Sequence, residues 1–183
     1  DAWRACVAQG LDVAAALGLE EVCLATGRRS ERLFLERRPE LPEQGAVQAG
    51  DHFAFALRAA AVRRIRRVWW SVFFGKLVKQ AMGLESTHAR DGRLDLGWLA
   101  DRAREAGLGG EHAAAVRGAN TAREALDIVR TDPGLAHLLE GLASAWFASA
   151  RGFAGVGPAL GLAVFDLEGR LLMERREEKG ESA

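Results

Sequence analysis

A chain of 183 residues, 49% hydrophobic and 27% charged, suits one globular domain with a substantial core. Its 25 basic side chains balance 25 acidic ones, which argues against a global field for nucleic acid. No apolar run reaches the ~20 residues that a membrane-crossing helix needs, and no charged-then-apolar leader opens the chain, so the cytoplasm is the expected location.

From Trp3 to Leu17, the apolar residues Trp3, Cys6, Val7, Ala14 and Leu17 keep helical spacing, and Gly18 supplies a C-cap. The only two cysteines, Cys6 and Cys23, have no Cys or His at ligand spacing and read as small core residues. A short buried strand, Val22 to Ala25, runs into the polar turn TGRRSE. Pro39 and Pro42 then make a surface loop, and Asp51 is placed to N-cap a helix through HFAFALRAAAV. RVWWSVF, aromatic and β-branched, predicts a second strand that leads into Gly75 and a helix closing near Gly83. After the loop ESTHARDGR, Asp95 caps a helix with Leu96, Leu99, Ala103 and Ala106 on one face, stopped by Gly107. Beyond GLGGEH, helices are expected from about Thr121 to Arg130 and from about Pro133 to Ala150, as the periodicity indicates. The end, ALGLAVFDLEGRLLMERR, reads as strand, turn near Glu168 and Gly169, and partner strand.

This alternation predicts a layered α/β domain over residues 1–175, with a mostly parallel sheet and a C-terminal β-hairpin, followed by a charged, disordered tail at 176–183. Ligands of such sheets sit beyond the carboxyl ends of the strands. Two polar turns fall there, Thr26–Glu31 and Gly75–Lys79, and they line one crevice if their strands are neighbours. Trp69 and Trp70 then point into core on opposite faces of the second strand, or, at a strand end, one of them stacks on a flat ligand ring instead.

Lysine is rare in this arginine-rich chain, yet Lys76 and Lys79 stand one helical turn apart, with Leu77, Val78 and Ala81 on the opposite side. Cations in a first turn oppose the helix dipole, so an anionic ligand or a protein carboxylate should face them. The segment is not a P-loop, since Trp70 stands where the first glycine belongs and Leu77 replaces the Ser or Thr. Arg28 and Arg29, with Thr26 and Ser30, suit a polyanion; a plain βα turn in which Ser30 caps a short helix is the alternative. His88 follows Thr87 in a loop, where an imidazole could serve as acid, base or ligand or be incidental. Thr121 and Glu124 form a capping box, which leaves Asn120 for a ligand or for the turn. GVGPALG precedes a strand instead of following one and is rejected as a dinucleotide fingerprint.

In order, LATGRRSE, VQAGDHFAFAL, FFGKLVKQAMGLESTH, LDLGWLADRAREAG, GANTAREAL and AVFDLEGRLL resemble the cobalt-precorrin-5B C1-methyltransferases of anaerobic cobalamin biosynthesis, specifically their carboxy-terminal domain. Family members are about twice as long as this chain, by the resemblance. It implies S-adenosylmethionine as methyl donor and a cobalt-bearing, ring-contracted tetrapyrrole as acceptor, converting cobalt-precorrin-5B to cobalt-precorrin-6A. Cobalt enters with the substrate, and no protein metal site is implied. The enzyme's main task would be alignment for in-line displacement, which can account for ~7–11 kcal/mol of the barrier. The macrocycle's acetates and propionates would then meet Arg28, Arg29, Lys76 and Lys79, with Thr87 and Asn120 also substrate-binding. Thr26, Gly27, Ser30, Glu31, Gly50, Asp51 and Gly75 are the implied donor contacts, and His88 the implied catalytic residue. The implied partners are an amino-terminal domain or a second copy of the chain. A non-catalytic binding domain on the same scaffold, and an unrelated α/β enzyme acting on phosphorylated substrates, are the competing readings.

Overall fold

A computed structural model describes residues 2–177. In chain order the elements are α1 (Ala2–Ala16), β1 (Glu21–Ala25), α2 (Arg28–Arg37), β2 (Ala46–Gln48), α3 (Phe53–Val62), β3 (Arg67–Phe73) and α4 (Phe74–Ala81). They continue with α5 (Leu96–Glu105), α6 (Gly110–Gly118), α7 (Ala122–Val129), α8 (Leu135–Ala154), β4 (Ala159–Phe165) and β5 (Leu171–Arg176). The strands form one sheet in the order β2-β1-β3-β4-β5, parallel except for β5, which runs antiparallel to β4. This is the layered α/β architecture with a terminal hairpin, and Gly169 at φ 90° makes its turn.

Side chains alternate across the sheet, as the two-residue period requires. On one face Val22, Leu24, Val68, Trp70, Leu160, Leu162 and Val164 join the main core with residues of α1, α3, α4, α5, α7 and α8. On the other, Cys23, Ala25, Trp69, Ala163 and Phe165 meet Phe34 of α2 and Leu41. Trp70 stacks edge-on to Phe53 at 4.9 Å and Trp69 tilts against Phe34 at 5.5 Å, so both indoles are core on opposite faces. Trp69 lies flat on Gly161 of the adjoining strand, where an added Cβ would come within 2.5 Å of the ring.

Several expectations need correction. Cys6 is exposed, and α1 buries Val7, Leu11 and Ala14 in place of Trp3 and Leu17, which are 47% and 58% exposed. Only the residues at i, i+4 and i+7 from Val7 reach the core; Trp3, Cys6 and Leu17 fall on a second face. Asp51 does not cap α3. His52 holds the cap position without a side-chain bond, and the carbonyl of Glu85 accepts the Ala54 N–H instead. Ser30 lies inside α2 and donates to the Gly27 carbonyl at 2.9 Å, so it is not that helix's cap. Asp95 and Thr121 do cap α5 and α7, accepting from Trp98 N–H at 2.9 Å and Glu124 N–H at 3.1 Å. Strand β2 and helix α6 were not foreseen. Arg176 closes β5, and Glu177 accepts from the Leu160 N–H at 3.0 Å. The rest of the expected tail, 178–183, lies outside the described residues.

Candidate functional site

From β1 the chain passes through α2 to β2 on one side, then through α3 to β3 on the other. The sheet therefore reverses its order between β1 and β3, which opens a crevice beyond their carboxyl ends. A cavity of about 950 Å³ occupies it. Its near wall is the turn after β1 and the start of α4; its far wall comes from the start of α7 and the β4–β5 turn. Phe73, Phe74, Leu94, Leu126 and Leu167 give it an apolar lining.

Lys76 Nζ donates to the Thr26 carbonyl at 3.2 Å, which ties α4 to the turn after β1, and pairs with Asp51 Oδ1 at 3.1 Å. Asp51 Oδ1 also accepts from the Thr87 hydroxyl at 2.5 Å, and Lys79 Nζ donates to the Thr87 carbonyl at 3.0 Å. Burial alone would raise the Asp51 carboxyl. The Thr87 hydroxyl and the Lys76 ammonium outweigh it, with a smaller contribution from the charge of His88, and hold the group below the usual carboxylate range. A protein carboxylate thus meets the cation that opposes the dipole. Lys79 falls in the last turn of this eight-residue helix, where positive charge is favourable.

Ten of the predicted site residues line this cavity: Thr26, Gly27, Arg28, Arg29, Asp51, Gly75, Lys76, Lys79, Thr87 and His88. Arg28, Arg29 and His88 are exposed at its rim, and His88 Nδ1 accepts from the Arg90 N–H at 3.3 Å. Gly75 allows α4 to approach α7, since a Cβ there would stand 3.2 Å from that of Ala122. Four predicted residues lie elsewhere. Ser30 is buried in the first turn of α2, where Ser71 Oγ donates to its carbonyl at 2.7 Å. Glu31 accepts from Gln48 Nε2 at 2.5 Å. Gly50, at φ 61°, lies under the Trp3 indole. Asn120 donates its backbone N–H to Glu124 Oε2 at 2.8 Å and shapes the turn before α7.

The far wall adds residues to which no site role was assigned: Thr121, expected only as a helix cap, Glu168, expected only in the hairpin turn, and Arg123, Arg130 and Asp166. Arg123 pairs with Glu168 at 2.6 Å, linking α7 to the hairpin turn. The Asp166 side chain is fully buried and pairs with Arg130 at 3.2 Å. Burial would raise its carboxyl, but the Arg170 N–H and the Arg130 guanidinium hold it down. Around the cavity, six Lys and Arg side chains face three carboxylates, in a chain of zero net charge.

Residues 86–176 match the family described as CbiD, C-terminal domain. The cobalt-precorrin-5B C(1)-methyltransferase of Nitratidesulfovibrio vulgaris is 50% identical over 169 residues, 92% of this chain and 43% of that protein. Over residues 86–176 the chain belongs to this domain family. Proteins of the same name from Geobacillus kaustophilus and Variovorax paradoxus are 33% identical over 171 residues and 44% identical over 124 residues. Those matches take in 93% and 68% of this chain but only 46% and 34% of the relatives. The chain thus spans less than half the length of each. No solved structure matches it. Among the described residues, no helix is long and apolar enough to cross a membrane.

Proposed function

We propose that this chain is the acceptor-binding part of a cytoplasmic cobalt-precorrin-5B C(1)-methyltransferase, and that its crevice holds the ring-contracted tetrapyrrole. The carrying observation is the twofold excess of cations over carboxylates around an apolar-walled cavity, in a chain that is neutral overall. A corrin precursor is a flat apolar ring edged with acetates and propionates. Phe73, Phe74 and Leu126 suit the ring, while Arg28, Arg29 and Lys79, which no protein carboxylate engages among the described residues, suit its carboxylates. Lys76 is the positioning member, because Asp51 and Thr26 already engage its ammonium. His88 Nδ1 accepts from the Arg90 N–H, which puts the proton of the neutral ring on Nε2, so His88 suits donation to a substrate carboxylate instead of proton removal from the methylated ring or an axial approach to cobalt.

S-Adenosylmethionine supplies the methyl group in this reading, but the residues present do not make its site. Ser30, Glu31 and Gly50 lie away from the cavity, and Asp51 is committed to Lys76 and Thr87. The donor's sulfonium would also enter a region of surplus positive charge, which is unfavourable. The donor is therefore assigned to the part of the enzyme that this chain does not span.

Calorimetric titration tests both assignments. A cobalt-bearing ring-contracted tetrapyrrole should bind with an affinity that falls as salt rises, whereas S-adenosylhomocysteine should give no heat. Binding of S-adenosylhomocysteine alone, or preference for a phosphorylated ligand over the polycarboxylate, would overturn the reading.

A further inference from the structure

Helix α1 carries two apolar faces. Val7, Leu11 and Ala14 are buried against the sheet. Trp3, Cys6, Gly10, Val13 and Leu17 repeat at alternating steps of three and four, the spacing of a helix–helix seam. That second stripe faces outward: Trp3, Val13 and Leu17 are 47%, 44% and 58% exposed, and Cys6 is exposed with them. A groove of about 450 Å³ runs along it, floored by Ala46, Val47 and Gln48 of β2. Gly10 brings helix and strand together, since a Cβ there would sit 3.1 Å from a Val47 methyl. Among the described residues β2 pairs only with β1, so its outer edge is open beside the stripe.

We infer that this stripe and the adjoining edge of β2 are the docking face for the amino-terminal half that the longer relatives carry. Two observations name that occupant. The matching family is a carboxy-terminal domain, and the N. vulgaris relative holds more than half its length outside the match. Helix α1 is also the first element described, so a preceding half would join the chain at the Trp3 end of the stripe. The inference rests on family membership and the α1 surface, and does not depend on what the crevice binds.

Cys6 is a built-in reporter. It is exposed, whereas Cys23 is fully buried, and that burial, with the charges of Glu31 and Glu21, pushes its thiol well above the usual range. Alkylation of native protein therefore reads Cys6. In a chimera whose amino-terminal half comes from the N. vulgaris relative and whose remainder is this chain, Cys6 should alkylate about tenfold or more slowly than in the 183-residue chain alone. Val13→Glu with Leu17→Glu should restore the fast rate in the chimera while leaving the melting of the isolated chain unchanged. Equal rates in the chimera and the isolated chain overturn the inference. So does concentration-dependent protection of Cys6 in the isolated chain, which would give the face to a second copy. Hydroxyl-radical footprinting of the intact N. vulgaris relative is independent of whether the chimera folds. The helix preceding its β1-matching segment should be protected on this stripe, and full modification there overturns the inference.

Discussion

Replacing Lys76 by Met keeps the aliphatic stem and removes the ammonium that joins α4, the turn after β1 and Asp51. Two contacts are lost, at 3.1 Å to Asp51 Oδ1 and 3.2 Å to the Thr26 carbonyl. Hydrogen bonds to charged groups contribute ~1.5–3 kcal/mol when well shielded. Here the Lys76 and Asp51 side chains are 34% and 30% exposed, so solvent screening reduces the expected loss to ~1–2 kcal/mol. For a domain of this size that lowers Tm by ~2–8 °C. Asp51→Asn should cost a similar amount, and the double variant should cost less than the sum, with a coupling of ~1 kcal/mol. Urea unfolding of the four proteins at pH 7 measures it. The sign with pH follows from the Asp51 carboxyl, which is depressed in the fold: the coupling is fully present above the unfolded value of ~3.9 and disappears as pH falls through the lower, folded value. Additivity within ~0.3 kcal/mol at pH 7 would refute the shared-charge description of this corner.

Gly161→Ala should destabilise by ~1–3 kcal/mol through overpacking, because its methyl would press on the Trp69 ring; an unchanged urea midpoint and near-ultraviolet spectrum would contradict that contact. Asp166→Asn should flatten the acid limb of the stability profile, since the native carboxyl is held down and its contribution is lost as pH falls through that depressed value. An acid limb identical to the parent's would rule out the Arg130–Asp166 pair as its source.

The near wall of the crevice was legible because its signals are local. RVWWSVF predicts β3 residue for residue, and Gly75, Lys76 and Lys79 follow it within one helix. Neighbouring strands then brought the two polar turns together, as the pairing of Cys23 with Trp69 records. The far wall was not legible, because Arg123, Arg130, Asp166 and Glu168 reach the crevice only through the long path from α4 to β4. Arg123 and Glu168 are 45 residues apart and come together only where α7 meets the hairpin turn. Strand β2 has three residues, too few for an alternation to show, and α6 is alanine-rich with glycine at both ends and buries only Ala113 and Val116. Asp51 misled for a physical reason: a carboxylate before a helix satisfies local capping rules, but a lysine and a threonine distant in sequence compete for it and prevail.

The crevice as a polycarboxylate site is tested most directly by two variants that each remove two positive charges. Arg29→Ala with Lys79→Ala empties two positions on the cavity wall, whereas Arg32→Ala with Arg104→Ala removes two exposed arginines that do not line it. Titrated with the cobalt-bearing tetrapyrrole, the first pair should weaken binding by about tenfold or more, and the second should stay within about twofold of the parent. Equal weakening by both pairs would mean that net charge alone attracts the ligand, and would contradict a site in this crevice.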